Sequence, residues 1–335
     1  MNALSYTELD DYGHCPLLYR FRHVDGIQRK KKEDALYQGS SIHNMLQAEN
    51  IEPGSLDDEY VRQLQSVYQN PLLFQDEKDE QEALITDSLR IVSGYLDYIA
   101  DEREKEEILH IEEQFIFKTD GGLVFSCTPD LVVRLTDGRV IVRDYKSTTK
   151  TPQWQTPAPN LQVAMNFAAV KALYPETTEF QFDRLRKKVP TEPRLNKTGA
   201  RKVNNLKAVD TTYELLLAFL ETEAPDLMDD PEHRMRLAEL RDENRFYYRE
   251  SIVPSDEYLA NALDDIEQKA ELLNFSLEKN YFPRTYHTGG IRSCERCSMA
   301  SICRAELLDW DTEAVLEAEY EPRDTSYKDY ETDDE

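Results

Sequence analysis

Residues 123–148 of the chain read LVFSCTPDLVVRLTDGRVIVRDYKST, and this stretch decides the fold. It is rich in β-branched residues, and the TDG sequence at 136–138 separates two apolar runs, which predicts a β-hairpin. The pattern permits a two-residue Asp-Gly turn or a three-residue loop with glycine in the left-handed conformation. Only the three-residue loop pairs Asp130 directly with Asp144 and places Lys146 on the same face of the hairpin.

Two carboxylates this close repel each other unless a cation lies between them, so the pairing of Asp130 with Asp144 indicates a hard divalent metal ion. Oxygen ligands suit Mg²⁺ or Mn²⁺, which would polarise a phosphodiester oxygen and acidify a bound water. Lys146 would orient that water or stabilise the charge around phosphorus. The alternative is an exposed hairpin whose aspartate and lysine form a surface ion pair, and the D-x-K pattern alone permits both interpretations.

The segments around the hairpin predict a mixed α/β protein. Helical patterns, three of them with Ser or Asn as N-cap (Ser5, Asn160 and Ser255), cover about residues 5–21, 35–49, 80–107, 160–173 and 255–279. Strand patterns in residues 111–118, 123–135 and 139–147 predict a three-stranded meander, and further strand patterns cover 177–188 and 245–253. This order predicts a mixed β-sheet core inside helical additions, in one large domain or two intertwined ones.

The charge of the chain is unevenly distributed. Its formal net charge is −26, which opposes binding to nucleic acid unless basic residues are concentrated in one place. Residues 184–207 carry nine Lys or Arg against one Glu, and residues 28–32 read QRKKK. We predict a track for DNA phosphates, with two solvated loops as the alternative. The candidate phosphate contacts are Arg184, Arg186, Lys187, Lys188, Arg201 and Lys202. Residues 309–335 hold twelve acids against two bases, which predicts a disordered tail or interaction arm.

Four of the five cysteines lie near the chain ends, as Cys15 and the C-x2-C-x5-C run of Cys294, Cys297 and Cys303. The sequence has no apolar run of about 18 residues, so we expect no membrane span. It also lacks the pattern of a signal peptide, so we expect a cytoplasmic protein, in which clustered thiols bind metal more often than they pair. An iron–sulfur cluster or a zinc ion held by these thiols would join the two ends of the chain. We expect Cys127 to be an ordinary buried residue.

Pro129-Asp130 and Asp144-Tyr145-Lys146 match the pattern that gives the PD-(D/E)xK nuclease superfamily its name. The chain resembles the RecB-like branch of that superfamily, which includes the AddB nuclease, CRISPR-adaptation nucleases and phage-encoded exonucleases. Residues 39–43 (GSSIH) resemble its G-x-x-x-H motif, and Leu161-Gln162 resembles the start of its Q-x-x-x-Y helix motif. The cysteine segments at both ends resemble its iron–sulfur segments, so the resemblance runs from about residue 5 to 304. The chain departs from the pattern at Asn166, where the helix motif has tyrosine.

The resemblance implies a restriction-endonuclease-like mixed β-sheet core flanked by helices. It implies that His43, Asp130, Asp144 and the backbone carbonyl of Tyr145 hold the metal, and that Lys146 and Gln162 act on the phosphate and the water. Glu113 is a further candidate ligand, for which a solvated strand face is the alternative. The resemblance favours a [4Fe–4S] cluster over Zn²⁺ at Cys15, Cys294, Cys297 and Cys303.

We therefore predict a metal-dependent DNA exonuclease that acts on single strands or duplex ends in recombination, repair or phage DNA processing, beside a helicase, recombinase or integrase. The alternatives are a CRISPR-adaptation-type nuclease that trims DNA precursors, a non-catalytic DNA-end binding module with a vestigial site, and a zinc-stabilised interaction protein. The expected parts are a helical region with the first cysteine and His43 (1–107), the nuclease core (108–253), a helix with the iron–sulfur segment (254–308) and the acidic tail (309–335).

Overall fold

The computed structural model describes residues 3–30, 34–71, 73–150, 160–198, 201–288 and 293–323. The α-helices are α1 (Tyr6–His14), α2 (Pro16–Tyr19), α3 (Asp34–Ile51), α4 (Leu56–Gln69), α5 (Gln75–Arg103), α6 (Leu161–Leu173), α7 (Tyr213–Glu223), α8 (Pro231–Asp242), α9 (Asp256–Lys279), α10 (Ala300–Leu308) and α11 (Thr312–Glu319). The strands are β1 (Leu4–Ser5), β2 (Ile27–Arg29), β3 (Glu106–Ile111), β4 (Phe115–Lys118), β5 (Val124–Cys127), β6 (Leu131–Leu135), β7 (Val140–Thr148), β8 (Thr177–Arg186), β9 (Tyr247–Ile252) and β10 (Tyr320–Pro322).

Three of the predicted helix starts are confirmed by their caps. The Ser5 side chain and Glu8 form a capping box at α1. Asn160 Oδ1 accepts from Gln162 N at 2.9 Å at the start of α6, and Ser255 Oγ accepts from Tyr258 N at 3.1 Å at the start of α9. Each cap satisfies a backbone N–H that has no partner inside its helix. Helices α4, α7, α8, α10 and α11 lie outside the predicted helices.

The central sheet has five strands in the order β3-β6-β7-β8-β9. Strands β7 and β8 are parallel and are connected through α6, while the other neighbours are antiparallel. In the β6–β7 hairpin Leu131 pairs with Arg143 and Val133 with Ile141, and Leu135 N donates to Arg139 O at 2.9 Å. This register leaves a three-residue loop in which Gly138 has φ +88°, as predicted. The mixed α/β fold class is confirmed.

Both faces of the sheet are buried, and β7 shows how. Val140 and Val142 pack in the apolar cluster that includes residues of α1, α6 and α9, while Ile141 and Tyr145 pack with α3 and α5. Side chains alternate along a strand. Asp144 and Lys146 therefore share the α6 face, while Tyr145 and Ser147 share the α3 face.

The predicted meander over 111–147 is divided between two sheets, and β3, which pairs with β6, lies largely before it. Strands β4 and β5 pair with each other, and β5 also pairs in parallel with β1 through Leu4 and Phe125. The N-terminus supplies that neighbour, so the local sequence gives no sign of it. A second difference is the segment between β8 and β9, where α7 and α8 pack around a small apolar cluster of their own, including Leu216, Leu220 and Leu240.

The prediction of disorder for residues 309–335 is wrong for 309–323. These residues include α11 and β10, and β10 pairs antiparallel with β2 through Tyr320 and Arg29. Tyr320 is only 4% exposed, and Arg323 N donates to Gly26 O at 2.7 Å. Backbone pairing and burial of an aromatic ring therefore outweigh the acidic composition here. Residues 324–335 lie outside the described residues, as do residues 31–33 of the basic run.

The first and the last described segments of the chain pack on the same core. One apolar cluster contains Leu4 and Leu9 from the N-terminus, Phe180 from β8, and Ile302 and Tyr320 from the C-terminal region. The four-part division of the chain stays a prediction. Across the described ranges, no helix combines the length and apolar character needed to cross a bilayer.

Candidate active site

The β6–β7 hairpin brings Asp130 and Asp144 together at one end of the central sheet. Asp130 directly precedes β6, and the register that pairs Leu131 with Arg143 places it opposite Asp144. Asp130 Oδ2 accepts a hydrogen bond from Tyr145 N at 2.6 Å, which ties its carboxylate to the neighbouring strand. Asp144 is buried, with 2% of its surface exposed. The predicted approach of the two carboxylates is confirmed.

Lys146 and Gln162 complete the α6 side of the site. Lys146 Nζ lies 2.7 Å from Asp144 Oδ2 and donates to Gln162 Oε1 at 3.1 Å. Gln162 Nε2 donates to Asp144 Oδ1 at 2.6 Å. The three side chains therefore form a closed set of contacts. Gln162 occupies the first turn of α6, so the Asn160 cap helps to fix its position over β7.

Asn166, at the departure from the Q-x-x-x-Y pattern, belongs to the packing of α6. It is 2% exposed, and its Nδ2 donates to no acceptor within the described residues. Phe167 beside it is also buried. Neither side chain reaches the surface where a substrate would bind.

His43 and Glu112 approach Asp130 from the other side. His43, on α3, has Nε2 3.0 Å from Asp130 Oδ2 and Nδ1 3.0 Å from Glu112 Oε1. Glu112 follows β3 in a left-handed conformation with φ +47°, and its N–H donates to Asp130 O at 3.2 Å. Gln47, one turn after His43 on α3, donates to Glu112 Oε2 at 2.7 Å. Helix α3 thus orients both the imidazole and the third carboxylate.

Glu112 is the site residue that the sequence did not reveal. The sequence predicts its neighbour Glu113 as a candidate ligand instead. In the structure the Glu113 side chain is 60% exposed and pairs with His110. The signal that could have identified Glu112 is the position of the Glu-Glu pair at the end of β3, beside the PD segment. Only the β3–β6 register and the left-handed backbone decide which of the two glutamates faces the site.

The site concentrates negative charge. Burial, and next the charge of Asp130, raise the pKa of the Asp144 carboxyl to about 6. Burial disfavours a charged His43, but the close carboxylates of Asp130 and Glu112 together outweigh it and raise the pKa of the imidazole to about 10. Within the described residues Asp144 Oδ2 and Glu112 Oε1 are buried without a well-aligned hydrogen bond, although Lys146 and His43 nitrogens lie at ion-pair distance.

This donor set fits a hard divalent cation, because three carboxylates and an imidazole face each other. In addition, Asp144 Oδ2 on the α6 side and Glu112 Oε1 on the α3 side lack a well-aligned hydrogen bond among the described residues. Among the described residues, no group of three or more His, Cys, Asp or Glu side chains has the geometry to hold a metal ion as it stands. The contacts account for this, because His43 bridges two carboxylates and Lys146 occupies the third.

Tyr145 anchors the site from the α3 face. Its hydroxyl accepts from Asn50 Nδ2 at 3.1 Å, and its ring lies edge-on to His43 and Tyr95, with centroids 6.4 and 6.1 Å away. Burial raises the pKa of its phenol to about 12. Tyr95 in turn donates to Asp183, a buried carboxylate that also pairs with arginines on β7 and β9. The backbone between Asp144 and Lys146 is therefore held by a packed layer beneath it.

The predicted DNA-contact residues lie in several environments. Four of them pair with acidic side chains of the same chain, in the contacts Arg184–Glu250, Arg186–Asp210, Lys188–Asp210 and Arg201–Asp226. These acids offset part of the basic charge of the segment. Lys187 lies beside Gly39 on α3, and Lys202 is exposed. Their role as phosphate contacts stays a prediction.

The four end cysteines line one cavity of about 200 Å³, together with apolar side chains such as Leu17 and Phe21. Thr285 connects two of the thiols, because its N–H donates to Cys15 Sγ at 3.4 Å and its carbonyl accepts from Cys294 Sγ at 3.5 Å. Burial raises the thiol pKa of both Cys297 and Cys303. Cys127 lies apart, 6% exposed, and burial raises its pKa to about 12, so its prediction as a buried residue is confirmed.

Comparisons with known proteins identify the family of the chain. The family model of the PD-(D/E)XK nuclease superfamily matches residues 3–304. A comparison with curated proteins finds no match. Among solved structures, a candidate exonuclease from Eubacterium rectale is 12% identical over 86% of this chain and 86% of its own, with a TM-score of 0.47. SSO0001 is 15% identical over 68% of this chain and 87% of its own, with a TM-score of 0.20. Neither likeness is close enough to bear on function. Because the family model covers nearly the whole sequence, the chain belongs to the PD-(D/E)XK nuclease superfamily.

Proposed function

We propose that the protein is a Mg²⁺- or Mn²⁺-dependent DNA exonuclease that hydrolyses phosphodiester bonds in single strands or at duplex ends. The observation that carries this proposal is the convergence of Asp130, Asp144, Lys146, His43 and Glu112 at one end of the sheet. Nucleases of this superfamily generally use divalent metals such as Mg²⁺. A non-catalytic binding module would have no need for this complete set.

Asp130, Asp144, His43 and the backbone carbonyl of Tyr145 would hold the metal ion, with Glu112 as a further carboxylate. The bound ion would polarise a phosphodiester oxygen and acidify a water. Carboxylate and carbonyl oxygens favour Mg²⁺, and the imidazole makes the set suitable for Mn²⁺ as well.

Lys146 would act directly on the substrate. Its side chain is 39% exposed, whereas that of Asp144 beside it is 3% exposed, so the ammonium lies between the buried carboxylate and solvent. A fixed positive charge at this position would stabilise the negative charge that develops on the phosphate oxygens. Gln162 holds both Lys146 and Asp144, and so keeps the lysine aligned with the metal ligands.

Attack on DNA ends, and a role in recombination, repair or phage DNA processing, are supported by the resemblance of residues 39–43 and of Leu161-Gln162 to motifs of the RecB-like branch. The test compares linear and covalently closed circular single-stranded DNA of one sequence in Mn²⁺. We expect the linear strand to be degraded from an end and the circle to survive. Equal cleavage of the circle would contradict exonuclease action and leave an endonuclease.

We also propose that Cys15, Cys294, Cys297 and Cys303 hold a [4Fe–4S] cluster. Four thiols around one largely apolar cavity suit such a cluster, and they would tie the α1–α2 region to α10. Protein purified without oxygen should be brown and contain about four irons per chain. The change Cys297→Ser should remove the colour, whereas Cys127→Ser should keep it. Stoichiometric zinc without iron would contradict the cluster and favour a zinc site.

A further inference from the structure

Gly39, Ser147 and Lys187 meet on the α3 face of the sheet, beside the candidate active site. A β-carbon placed on Gly39 would lie 3.1 Å from Ser147 Oγ and 3.2 Å from Lys187 Nζ. Both distances are shorter than an ordinary carbon contact, so the hydroxyl and the ammonium occupy the space that a side chain would need. The glycine therefore allows two phosphate-binding groups to lie directly against α3.

Gly39, Ser147 and Lys187 form a corner whose position relative to the metal ligands is fixed by the fold. Gly39 lies four residues before His43 on α3, so the two residues share one side of the helix about 6 Å apart. Ser147 follows Tyr145 by two residues on β7, and Tyr145 contacts the His43 ring. Lys187 directly follows β8, where its N–H donates to Thr148 O at 2.7 Å. The corner is thus one helical turn from His43, a distance comparable to the step between neighbouring phosphates of an extended strand.

The charge of the corner suits an anion. Lys187 is partly buried, and this burial lowers the pKa of its ammonium. An anionic ligand beside Lys187 would compensate for the water that burial removes. Lysine ammonium and serine hydroxyl groups are common donors to DNA phosphates.

We propose that Ser147 and Lys187, which Gly39 allows to lie against α3, bind the phosphate adjacent to the scissile phosphate on the same DNA strand. Engagement of this phosphate positions the next phosphodiester bond over Asp130, Asp144 and His43. The corner therefore sets the register in which the strand enters the metal site. This proposal rests on the proposed nuclease function and adds to it the residues that position the substrate.

The test measures binding of a fluorescein-labelled single-stranded oligonucleotide across a salt series in EDTA, with cleavage kinetics in Mn²⁺. We expect Lys187→Ala to reduce the steepness of the log–log salt dependence by about 0.7, the value for one lost single-strand phosphate contact. It should raise KM with little change in kcat, because the contact positions the strand. Lys187→Arg should retain most of both properties, since it keeps the charge.

Two further variants separate this role from general electrostatics and from misfolding. Lys105→Ala removes an exposed lysine at the opposite end of the sheet, where Glu106 pairs with Leu135, and should leave the salt slope unchanged. Gly39→Ala keeps every charge but crowds Ser147 and Lys187. It should weaken DNA binding without lowering the unfolding temperature, because alanine favours a helix more than glycine does.

An unchanged salt slope and KM in Lys187→Ala, while the parent protein binds and cleaves DNA, would overturn this proposal and leave the nuclease assignment intact. Equal loss in Lys187→Ala and Lys105→Ala would also overturn it, because any surface lysine would then have the same effect. A parent protein that neither binds nor cleaves DNA in Mg²⁺ or Mn²⁺ would instead remove the proposed function.

Discussion

Replacing Asp144 with asparagine should abolish cleavage and at the same time stabilise the metal-free fold. Asp144 is 2% exposed, and burial together with Asp130 raises its pKa from the ordinary 3.8 to about 6. Each pKa unit corresponds to about 1.4 kcal/mol, so the ionised carboxylate costs the folded state on the order of 3 kcal/mol above pH 6. Asparagine keeps the shape and can still accept the hydrogen bond from Gln162, but it carries no charge.

The sign of the pH dependence follows from the raised pKa. Below pH 3.8 the carboxyl is protonated in both the folded and the unfolded chain, so it imposes no cost. As the pH rises through about 6, the unfolded chain has already released the proton and the folded chain must do so at a buried site. The stability advantage of Asp144→Asn should therefore grow between pH 4 and pH 6 and stay constant above that range.

Urea denaturation in EDTA at a series of pH values measures this effect. Asp137→Asn is the matched control, because Asp137 lies in the exposed hairpin loop and its pKa is lowered by its hydrogen bonds with Arg139. That variant should show no gain above pH 6. Addition of Mn²⁺ should stabilise the parent but not Asp144→Asn, because only the parent retains the full ligand set. An Asp144→Asn protein that is less stable than the parent at pH 7.5 in EDTA would refute the reasoning.

Three other substitutions test individual roles. Lys146→Ala should lower kcat by on the order of 10²–10³-fold, the usual effect of removing one charge-stabilising group, and leave the fold intact; wild-type kcat would exclude Lys146 from catalysis. His43→Ala should weaken Mn²⁺ binding at least about tenfold and alter DNA binding less, because imidazole is a metal ligand here; coincident Mn²⁺ titrations of variant and parent would show that His43 is only packed. Glu112→Gln should also weaken Mn²⁺ binding, whereas Glu113→Gln should not, and the reverse order would restore the sequence-based assignment.

The sequence predicted the centre of the fold because the decisive signals there are local. Gly138 and the length of the loop determine the register that brings Asp130 opposite Asp144. The N-cap residues Asn160 and Ser255 mark helix starts by bonding to nearby backbone groups. In each case the residues that specify the structure lie within a few positions of each other.

The remaining features depend on contacts between distant parts of the chain. The pairing of β1 with β5 joins residues more than 100 positions apart, and no local pattern indicates it. The order of residues 309–323 depends on β2, at the other end of the sequence. From the sequence, Arg184 is predicted to be a basic residue that contacts DNA. In the structure it donates to Glu250, which lies 66 positions later. The choice between Glu112 and Glu113 likewise requires the β3–β6 register.

The most direct test of the account is digestion of end-labelled single-stranded and duplex DNA by the purified protein in Mn²⁺, in Mg²⁺ and in EDTA, with Asp130→Asn prepared in parallel. Asp130 accepts from Tyr145 N and contacts His43, so it connects both sides of the site. We predict cleavage by the parent with Mn²⁺ or Mg²⁺, no cleavage in EDTA, and none by the folded variant. Undiminished cleavage by Asp130→Asn, or cleavage by the parent in EDTA, would contradict a metal-dependent site at this end of the sheet.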